Sequence, residues 1–289
     1  MMTTKMRHDH DTKAPALLVA IDMGLKSWRL AMMAQGGDKR RHQTVSGGDY
    51  LALSEAILKA KDKLGLAEEG PVMLCYEAGR DGFYPYRRLM EMGYRVYVID
   101  SASIEVSRHK RRAKSERIDA AKLVDLLHRY EGGEKKALRI VNVPSERTED
   151  LRQLPREREE LLAERQQVWN RISSLLFLQG YRQIPESAHA LKTWLAERQG
   201  LGAYLRVRLE HERVRLELLE SQLKEVERTE VWWLQAPGDD ALIASVKRLA
   251  QLGGFGSISA WVLVAEVFGW RGFRNRREVG GTLGLTPTS

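Results

Sequence analysis

Short apolar runs separated by tight turns open the chain. The run 16–22, "ALLVAID", leads through the turn "MGLKS" to "WRLAMMAQ" at 28–35, and a "GGD" break then leads to "KRRHQTV" at 39–45. Runs of this length, rich in aliphatic residues and joined by short connections that contain glycine, are typical of β-strands. We therefore expect a three-stranded antiparallel meander at the start of the fold.

From Tyr50 the apolar spacing becomes helical, and the chain then alternates between strand-like and helix-like segments. The segment 72–78 reads as a buried strand, 83–93 as a helix ending at Gly93, 94–100 as a strand of the parallel kind and 116–130 as a helix. The resulting order is three strands, helix, strand, helix, strand, helix. This order predicts an α/β domain of the ribonuclease H type, although a fold alone does not fix a function.

Past residue 144 the composition shifts to long charged helices. Two segments, 146–180 and 205–230, place leucine and valine at helical spacing between glutamate and arginine, which predicts an antiparallel coiled-coil hairpin. Pro155 is expected to kink the first helix or to mark a break in it. The predicted organisation is a flexible tail 1–15, an α/β domain 16–144, a coiled-coil domain 145–230 and a small helical domain 231–289.

The last of these domains is rich in aromatic residues and contains a Gly-x-Gly turn. In 252–267, "LGGFGSISAWVLVAEV", the turn opens a helix of small residues, a pattern similar to a helix-hairpin-helix. Backbone amides at such a turn can approach a phosphate, but a glycine turn before a helix is also an ordinary packing element. Four tryptophans in this region, Trp232, Trp233, Trp261 and Trp270, could stack on bases, yet at helical spacing such residues more often belong to a core.

The composition restricts the protein class and the partner. The chain has 289 residues, 43% of them hydrophobic, so it can bury a core. No apolar run is long enough to span a membrane, and a single cysteine fits a reducing compartment, so we expect a cytoplasmic protein with no membrane partner. The formal charge of +8 points to an anionic partner, and nucleic acid is the leading candidate.

Four acidic residues are the candidates for chemistry. Asp22 and Glu77 lie at the ends of predicted strands, whereas Glu116 and Asp119 lie three residues apart at the start of a predicted helix and so share one helical face. In the inferred fold these positions converge. Carboxylates gathered in a small volume need a cation, and their hard oxygens favour Mg²⁺ or Mn²⁺, the ions that activate and stabilise oxygens in phosphodiester chemistry.

A basic run precedes the two helical acids. It could hold the nucleic-acid backbone beside the acidic residues. Its members are Arg108, Lys110, Arg111, Arg112, Lys114 and Arg117.

Each of these residues also has a purely structural interpretation. Asp22 could be a turn residue, Glu77 a loop acid, Glu116 a partner of the helix dipole and Asp119 a surface ion-pair partner. The basic run could be a solvated loop. Asp100, the last residue of the predicted strand 94–100, could join the acidic group or cap a turn. The coincidence of all these features in one fold order favours a single site.

Several motifs taken together resemble the DEDD transposases of bacterial insertion sequences, the family of the pilin-gene invertase and of the recombinases guided by a bridge RNA. They are "AIDMG", "CYEAGRDGFYPYRRL", "RAKSERIDAAKL", the "VPS" that precedes the long helices, and "LGGFGSISAWVLVAEV" followed by "GLTP". The resemblance implies a RuvC-like catalytic domain whose tetrad is Asp22, Glu77, Glu116 and Asp119, with Glu116 at a position where the family usually has aspartate.

The resemblance further implies a DNA recombinase or transposase that binds Mg²⁺ or Mn²⁺ and acts on donor and target DNA. A structured guide RNA and assembly into a homodimer or homotetramer are implied as well. The family's C-terminal transposase domain carries a nucleophilic serine shortly after "GLTP", whereas this sequence reaches Ser289 before it, so we expect a truncated domain and doubtful full activity. The alternatives are a RuvC-like structure-selective nuclease and a non-catalytic nucleic-acid scaffold.

Overall fold

A computed structural model describes residues 14–79, 82–100 and 120–285. The chain divides between Val143 and Pro144 into two compact units. The predicted division into a tail and three domains stays a prediction. The predicted boundary between residues 230 and 231 falls inside a continuous helix of the second unit.

The first unit contains a five-stranded mixed sheet. Its strands are β1 (Leu17–Met23), β2 (Ser27–Ala34), β3 (Arg40–Ser46), β4 (Val72–Glu77) and β5 (Arg95–Ile99). They lie in the order β3-β2-β1-β4-β5, with β1–β2 and β2–β3 antiparallel and β1–β4 and β4–β5 parallel. The predicted meander is confirmed, and the α/β order is compatible with a ribonuclease H-like fold.

Helices cover both faces of this sheet. They are α1 (Tyr50–Leu64), α2 (Tyr84–Glu91) and α3 (Ala120–Glu131). Because successive side chains of a strand point to opposite faces, β1 sends Leu17, Val19 and Ile21 into the core under α1 and α2, and Leu18 and Ala20 into the core under α3. The same alternation tells which face of the sheet the last residue of each strand belongs to.

The second unit is helical over its described residues. Its helices are α4 (Glu146–Leu151), α5 (Gln153–Phe177), α6 (Ala188–Glu197), α7 (Ala203–Gln235), α8 (Ala241–Ala250), α9 (Ser257–Leu263) and α10 (Arg276–Thr282). A π-helical turn, Val264–Phe268, extends α9. The expected break near Pro155 occurs at Arg152, between α4 and α5. Pro155 is the third residue of α5, where the missing N–H costs no helical hydrogen bond.

The two long helices α5 and α7 pack side by side through a leucine-rich core. Three ion pairs cross between them, and the residue numbers rise on α5 as they fall on α7, so the helices run antiparallel. The pairs are Arg158–Glu227 (3.5 Å), Arg165–Glu220 (4.0 Å) and Arg171–Glu212 (3.2 Å). The two predicted helices are therefore present, while the supercoiled geometry of a coiled coil stays a prediction.

A smaller core lies between α4, α8 and α9. Trp261 belongs to this core and is 2% exposed, and its indole N–H donates to the carbonyl oxygen of Leu151 at 3.1 Å. This tryptophan is therefore a core residue, whereas Trp232 at the end of α7 is 60% exposed. No helix within 14–79, 82–100 and 120–285 is long and apolar enough to cross a membrane.

Candidate active site at the carboxyl ends of two parallel strands

Asp22 and Glu77 lie side by side at the same edge of the sheet. The last paired residues of β1 and β4 are Ile21 and Tyr76, and each acid is the next residue of its strand. Neighbouring parallel strands are about 4.8 Å apart, so the two backbones hold the acids at that order of separation. The sheet register therefore brings together two residues that are far apart in the sequence.

Both acids belong to the sheet face that α3 covers. On β1 the residues Leu18 and Ala20 enter the α3 core, and Asp22 continues this alternation. On β4 Cys75 enters the same core, and Glu77 is two residues further on. Asp22 and Glu77 are accordingly on one face as well as at one edge.

The direction of α3 follows from contacts at its two ends. Near its first described turn, the Cys75 thiol lies 3.8 Å from the carbonyl oxygen of Leu123. Near its last turn, the Nε2 atom of His128 accepts a hydrogen bond of 3.1 Å from the backbone N–H of Gly36. Gly36 follows β2 at the end where Ala34 pairs with the first residue of β1. The helix therefore begins at the sheet edge that carries Asp22 and Glu77.

The turn after Asp22 depends on a glycine. The backbone N–H of Gly24 donates to the carbonyl oxygen of Ser27 at 3.1 Å, and Gly47 N–H donates to Lys26 at 3.0 Å. A Cβ atom at Gly24 would lie 2.7 Å from the Ser27 oxygen, closer than real contacts allow. The "IDMG" motif thus combines the candidate acid with the residue that permits the tight turn beside it.

Within the described part of the chain, neither the carboxylate of Asp22 nor that of Glu77 has a hydrogen-bond or ion-pair partner. Both are partly exposed. Arg29 on β2 is the cross-strand partner of Asp22, lies on the same sheet face and is exposed. Sequence reasoning missed Arg29, because only the register of the meander brings it opposite Asp22. The edge therefore offers two carboxylates that are unpaired among the described residues, with a guanidinium on the adjacent strand.

Asp100, the fifth candidate acid, has a different environment. It follows β5, where Val96 and Val98 enter the core under α1 and α2, so the alternation assigns it to the opposite face from Glu77. Its carboxylate lies 3.7 Å from the Arg139 guanidinium, and its backbone N–H donates to the Arg139 carbonyl. These contacts favour the structural interpretation of Asp100.

The remaining predicted site residues lie outside the described ranges. These residues are Glu116, Asp119, Arg108, Lys110, Arg111, Arg112, Lys114 and Arg117, and Ser289 lies outside them too. In the described residues no group of three or more potential metal ligands is gathered, so Asp22 and Glu77 contribute two carboxylates that suit a hard cation without forming a complete ligand set.

Cys75 is fully buried, and burial raises the pKa of its thiol far above the ordinary value. It is a core residue and not a metal ligand.

Comparison with known proteins gives two matches. The family model of the IS110-type DEDD transposases, described as "Transposase", matches residues 19–183, which is more than half of the chain. A protein of Sinorhizobium fredii (strain NBRC 101917 / NGR234), described as "Putative transposase y4rJ", is 34% identical over 287 residues, covering 94% of this chain and 72% of the relative. The matched region of the family model includes both strand-end acids and the chain before α3.

Proposed function

Because the chain belongs to the IS110-type family of DEDD transposases, we propose that it is a metal-dependent DNA recombinase whose active site contains Asp22 and Glu77. The observation that carries the proposal is the position of these two carboxylates, on adjacent parallel strands, at one edge and on one face, without partners among the described residues. Asp100, the strand-end acid on the opposite face, has by contrast an ion-pair partner in Arg139.

We propose that Glu116 and Asp119 complete the ligand set. The support is the direction of α3, whose first described residue, Ala120, follows Asp119 in the sequence and lies at the edge that carries Asp22 and Glu77. Glu116 has the charge and oxygens of the aspartate usual in the family with one more methylene. We expect it to retain metal binding and to alter the reaction rate more than the chemistry.

The protein's own groups then have separate tasks. The carboxylates would hold Mg²⁺ or Mn²⁺, which when bound supplies the charge that activates the attacking oxygen and stabilises the leaving oxygen of a phosphodiester. Arg29, the cross-strand partner of Asp22, would contact a phosphate beside it. The basic run from Arg108 to Arg117 would hold the backbone of donor and target DNA, which agrees with the net charge of +8.

Two partners belong to this proposal. The first is a structured guide RNA, which family membership and the basic charge support. The second is another copy of the chain, in a homodimer or homotetramer. Its support is a stripe of exposed apolar residues along α7, formed by Tyr204, Val207, Val214 and Leu218 at helical spacing. A helix face of this kind favours contact between protein chains because it otherwise leaves apolar area in water.

The test is strand cleavage and joining on DNA that carries the ends of the insertion element. Asp22→Asn and Glu77→Gln keep the size of each side chain and remove its charge, so both should abolish cleavage with Mg²⁺ while DNA affinity is retained. Asp100→Asn is the matched control, since it is also a strand-end acid, and it should keep activity. Full activity in Asp22→Asn would refute the assignment. Hydrolysed ends without joined products would indicate a structure-selective nuclease.

A further inference from the structure

A groove of about 780 Å³ lies where α5 ends and α6 begins, at the tip of the helical pair. It shares no residue with the candidate active site. Its walls include two aromatic side chains, Tyr181 and Trp194, and two arginines, Arg182 and Arg198. Sequence analysis did not single out these residues, because Tyr181 and Trp194 are thirteen positions apart and belong to different elements.

The aromatic and basic groups of the groove are in contact. The rings of Tyr181 and Trp194 meet edge to face with centroids 4.9 Å apart, and both residues are only partly buried. The Arg198 guanidinium lies 5.1 Å from the centroid of Trp194 and 6.0 Å from that of Tyr181. Arg182 lies 5.5 Å from the ring of Phe177, which is itself 44% exposed. The tip therefore presents flat π surfaces and planar cations together.

Hydrogen bonds within the protein fix the backbone on either side of the connection between α5 and α6. At the end of α5, Gly180 has a φ of +82°, a conformation that favours glycine, and Tyr181 N–H donates to the Leu176 carbonyl at 3.1 Å. At the start of α6, the Ser187 hydroxyl accepts from Ala190 N–H at 3.1 Å. These two helix ends fix the backbone that carries Tyr181 and the first turn of α6.

Helix α7 fixes both ends of α6. Glu220 accepts a hydrogen bond from the backbone N–H of Ala188, and the Arg206 guanidinium donates to the carbonyl oxygens of Leu195 and Arg198. The segment that carries Trp194 and Arg198 is thereby held against a long helix. The groove is a preorganised feature that needs no ligand to form, which lowers the cost of binding one.

The charge of the tip limits the kind of ligand. From Phe177 to Arg206, with both end residues included, there are four arginine or lysine residues and two glutamates, a net charge of +2. The groove is lined by two basic residues, Arg182 and Arg198, and by one acidic residue, Glu197. Stacking surfaces beside guanidinium groups suit a ligand with flat rings and negative charge. Unpaired nucleotides have both, whereas a duplex hides the faces of its bases.

We propose that this groove binds unpaired nucleotides of a single-stranded nucleic acid segment. A base would stack within the cluster formed by Tyr181, Trp194 and Arg198, and the flanking phosphates would pair with the exposed guanidinium groups of Arg182 and Arg198. The proposal rests on the proposed function only in that a nucleic acid is the partner of this protein. It adds a recognition site in the helical unit, separate from the site of chemistry.

Fluorescence anisotropy of the full chain with labelled short oligomers tests this proposal. The probes are oligothymidylate, oligouridylate and a mixed-sequence duplex of matched charge at one salt concentration. Trp194→Leu keeps apolar bulk and removes the stacking surface, so it should weaken single-strand binding roughly 10-fold, the scale of one stacked base, and leave duplex binding unchanged. Trp169→Leu, at a partly exposed tryptophan of α5 that does not line the groove, should change neither. Tighter binding of oligouridylate would assign the site to RNA, and tighter binding of oligothymidylate to DNA.

Arg198→Gln is the second variant, because its exposed side chain can be changed without disturbing the core. It should also weaken single-strand binding selectively. Equal losses on duplex and single strands, or no loss in either variant, would overturn the proposal. A changed molar mass in light scattering with unchanged single-strand affinity would overturn it as well, in favour of a protein contact. Asp22→Asn should keep single-strand affinity, so failure of the active site and failure of the groove can be told apart.

Discussion

The thiol of Cys75 lies 3.8 Å from the carbonyl oxygen of Leu123, and this contact joins the middle of β4 to the first described turn of α3. Cys75 is two residues before Glu77, so the contact shows that the first described turn of α3 lies near the candidate acids. Accessibility of the Cys75 thiol therefore reports whether α3 stays packed against β4 beside the proposed site.

Cys75 should be unreactive in the folded protein. It is completely buried, and burial raises its pKa, so the reactive thiolate is scarce and inaccessible. Iodoacetamide at mildly alkaline pH should leave the native chain unmodified and label Cys75 once the chain is unfolded in denaturant. Mass spectrometry gives the modified fraction. Rapid labelling of the native chain would show that the contact between β4 and α3 opens readily.

Gly24→Ala should disturb the turn beside Asp22. The added Cβ would lie 2.7 Å from the Ser27 carbonyl oxygen, a backbone atom that cannot move alone. We expect a loss of about 1–3 kcal/mol in the free energy of unfolding, the usual cost of such strain, together with reduced DNA cleavage. Gly253→Ala is the matched control, since no atom lies near its Cβ position. Equal stability of the two variants in urea titrations would contradict this account of the turn.

Glu266 should stabilise the helical unit in a pH-dependent way. It accepts hydrogen bonds from Arg152 (2.8 Å) and Arg156 (2.6 Å). Burial alone would raise its pKa, but the bonds from the two arginines outweigh burial and hold the pKa below the ordinary 4.5. Because the folded-state pKa is lowered, the stabilisation is complete above pH 4.5 and is lost as the pH falls through the folded-state pKa.

Glu266→Gln should therefore lower the free energy of unfolding by about 1–3 kcal/mol at neutral pH, because two arginines lose a charged partner. The difference from the unmodified chain should shrink as the pH falls below 4.5. Denaturant titrations across this range provide the measurement. Glu164→Gln, at an exposed acid on α5 without a partner among the described residues, should have little effect at any pH. A difference that grows in acid would contradict the assigned ion pairs.

Replacing both Arg111 and Arg112 by alanine should weaken DNA binding in a salt-dependent way with little sequence preference. Each lost phosphate contact reduces the slope of log K against log salt by about 0.9, so the slope should fall by up to about 2. Replacing Arg208 and Arg228, exposed residues of α7, is the control for net charge. An affinity loss of the same size at low and high salt would exclude the electrostatic explanation.

The sequence predicted the α/β order because the period of the apolar positions changes visibly at Tyr50 and again at Val72. It predicted a kink or break near Pro155 but not its position at Arg152, since Pro155 is tolerated in the first turn of a helix and so does not itself mark the boundary. Asp22 and Glu77 could be paired from the inferred parallel strands. Arg29 could not, because the meander register that brings it opposite Asp22 has no separate signal in the chain.

Contacts between distant segments explain what else was missed. Glu266 lies more than a hundred positions from Arg152, and no local pattern links them. Tyr181 and Trp194 look like ordinary residues of a connection and a short helix until their rings meet. Tryptophan periodicity could not separate Trp261, which fills a core, from the exposed Trp232, because burial depends on which helices pack together.

Hydroxyl-radical cleavage of the protein by bound Fe²⁺ tests the central claim most directly, because iron substituted at a Mg²⁺ site cuts only the backbone near it. We predict cuts in three separate segments, near Asp22, near Glu77 and just before Ala120, all suppressed by excess Mg²⁺ and absent in Asp22→Asn. Cuts confined to one of these segments, or an unchanged pattern in Asp22→Asn, would contradict a shared cation site.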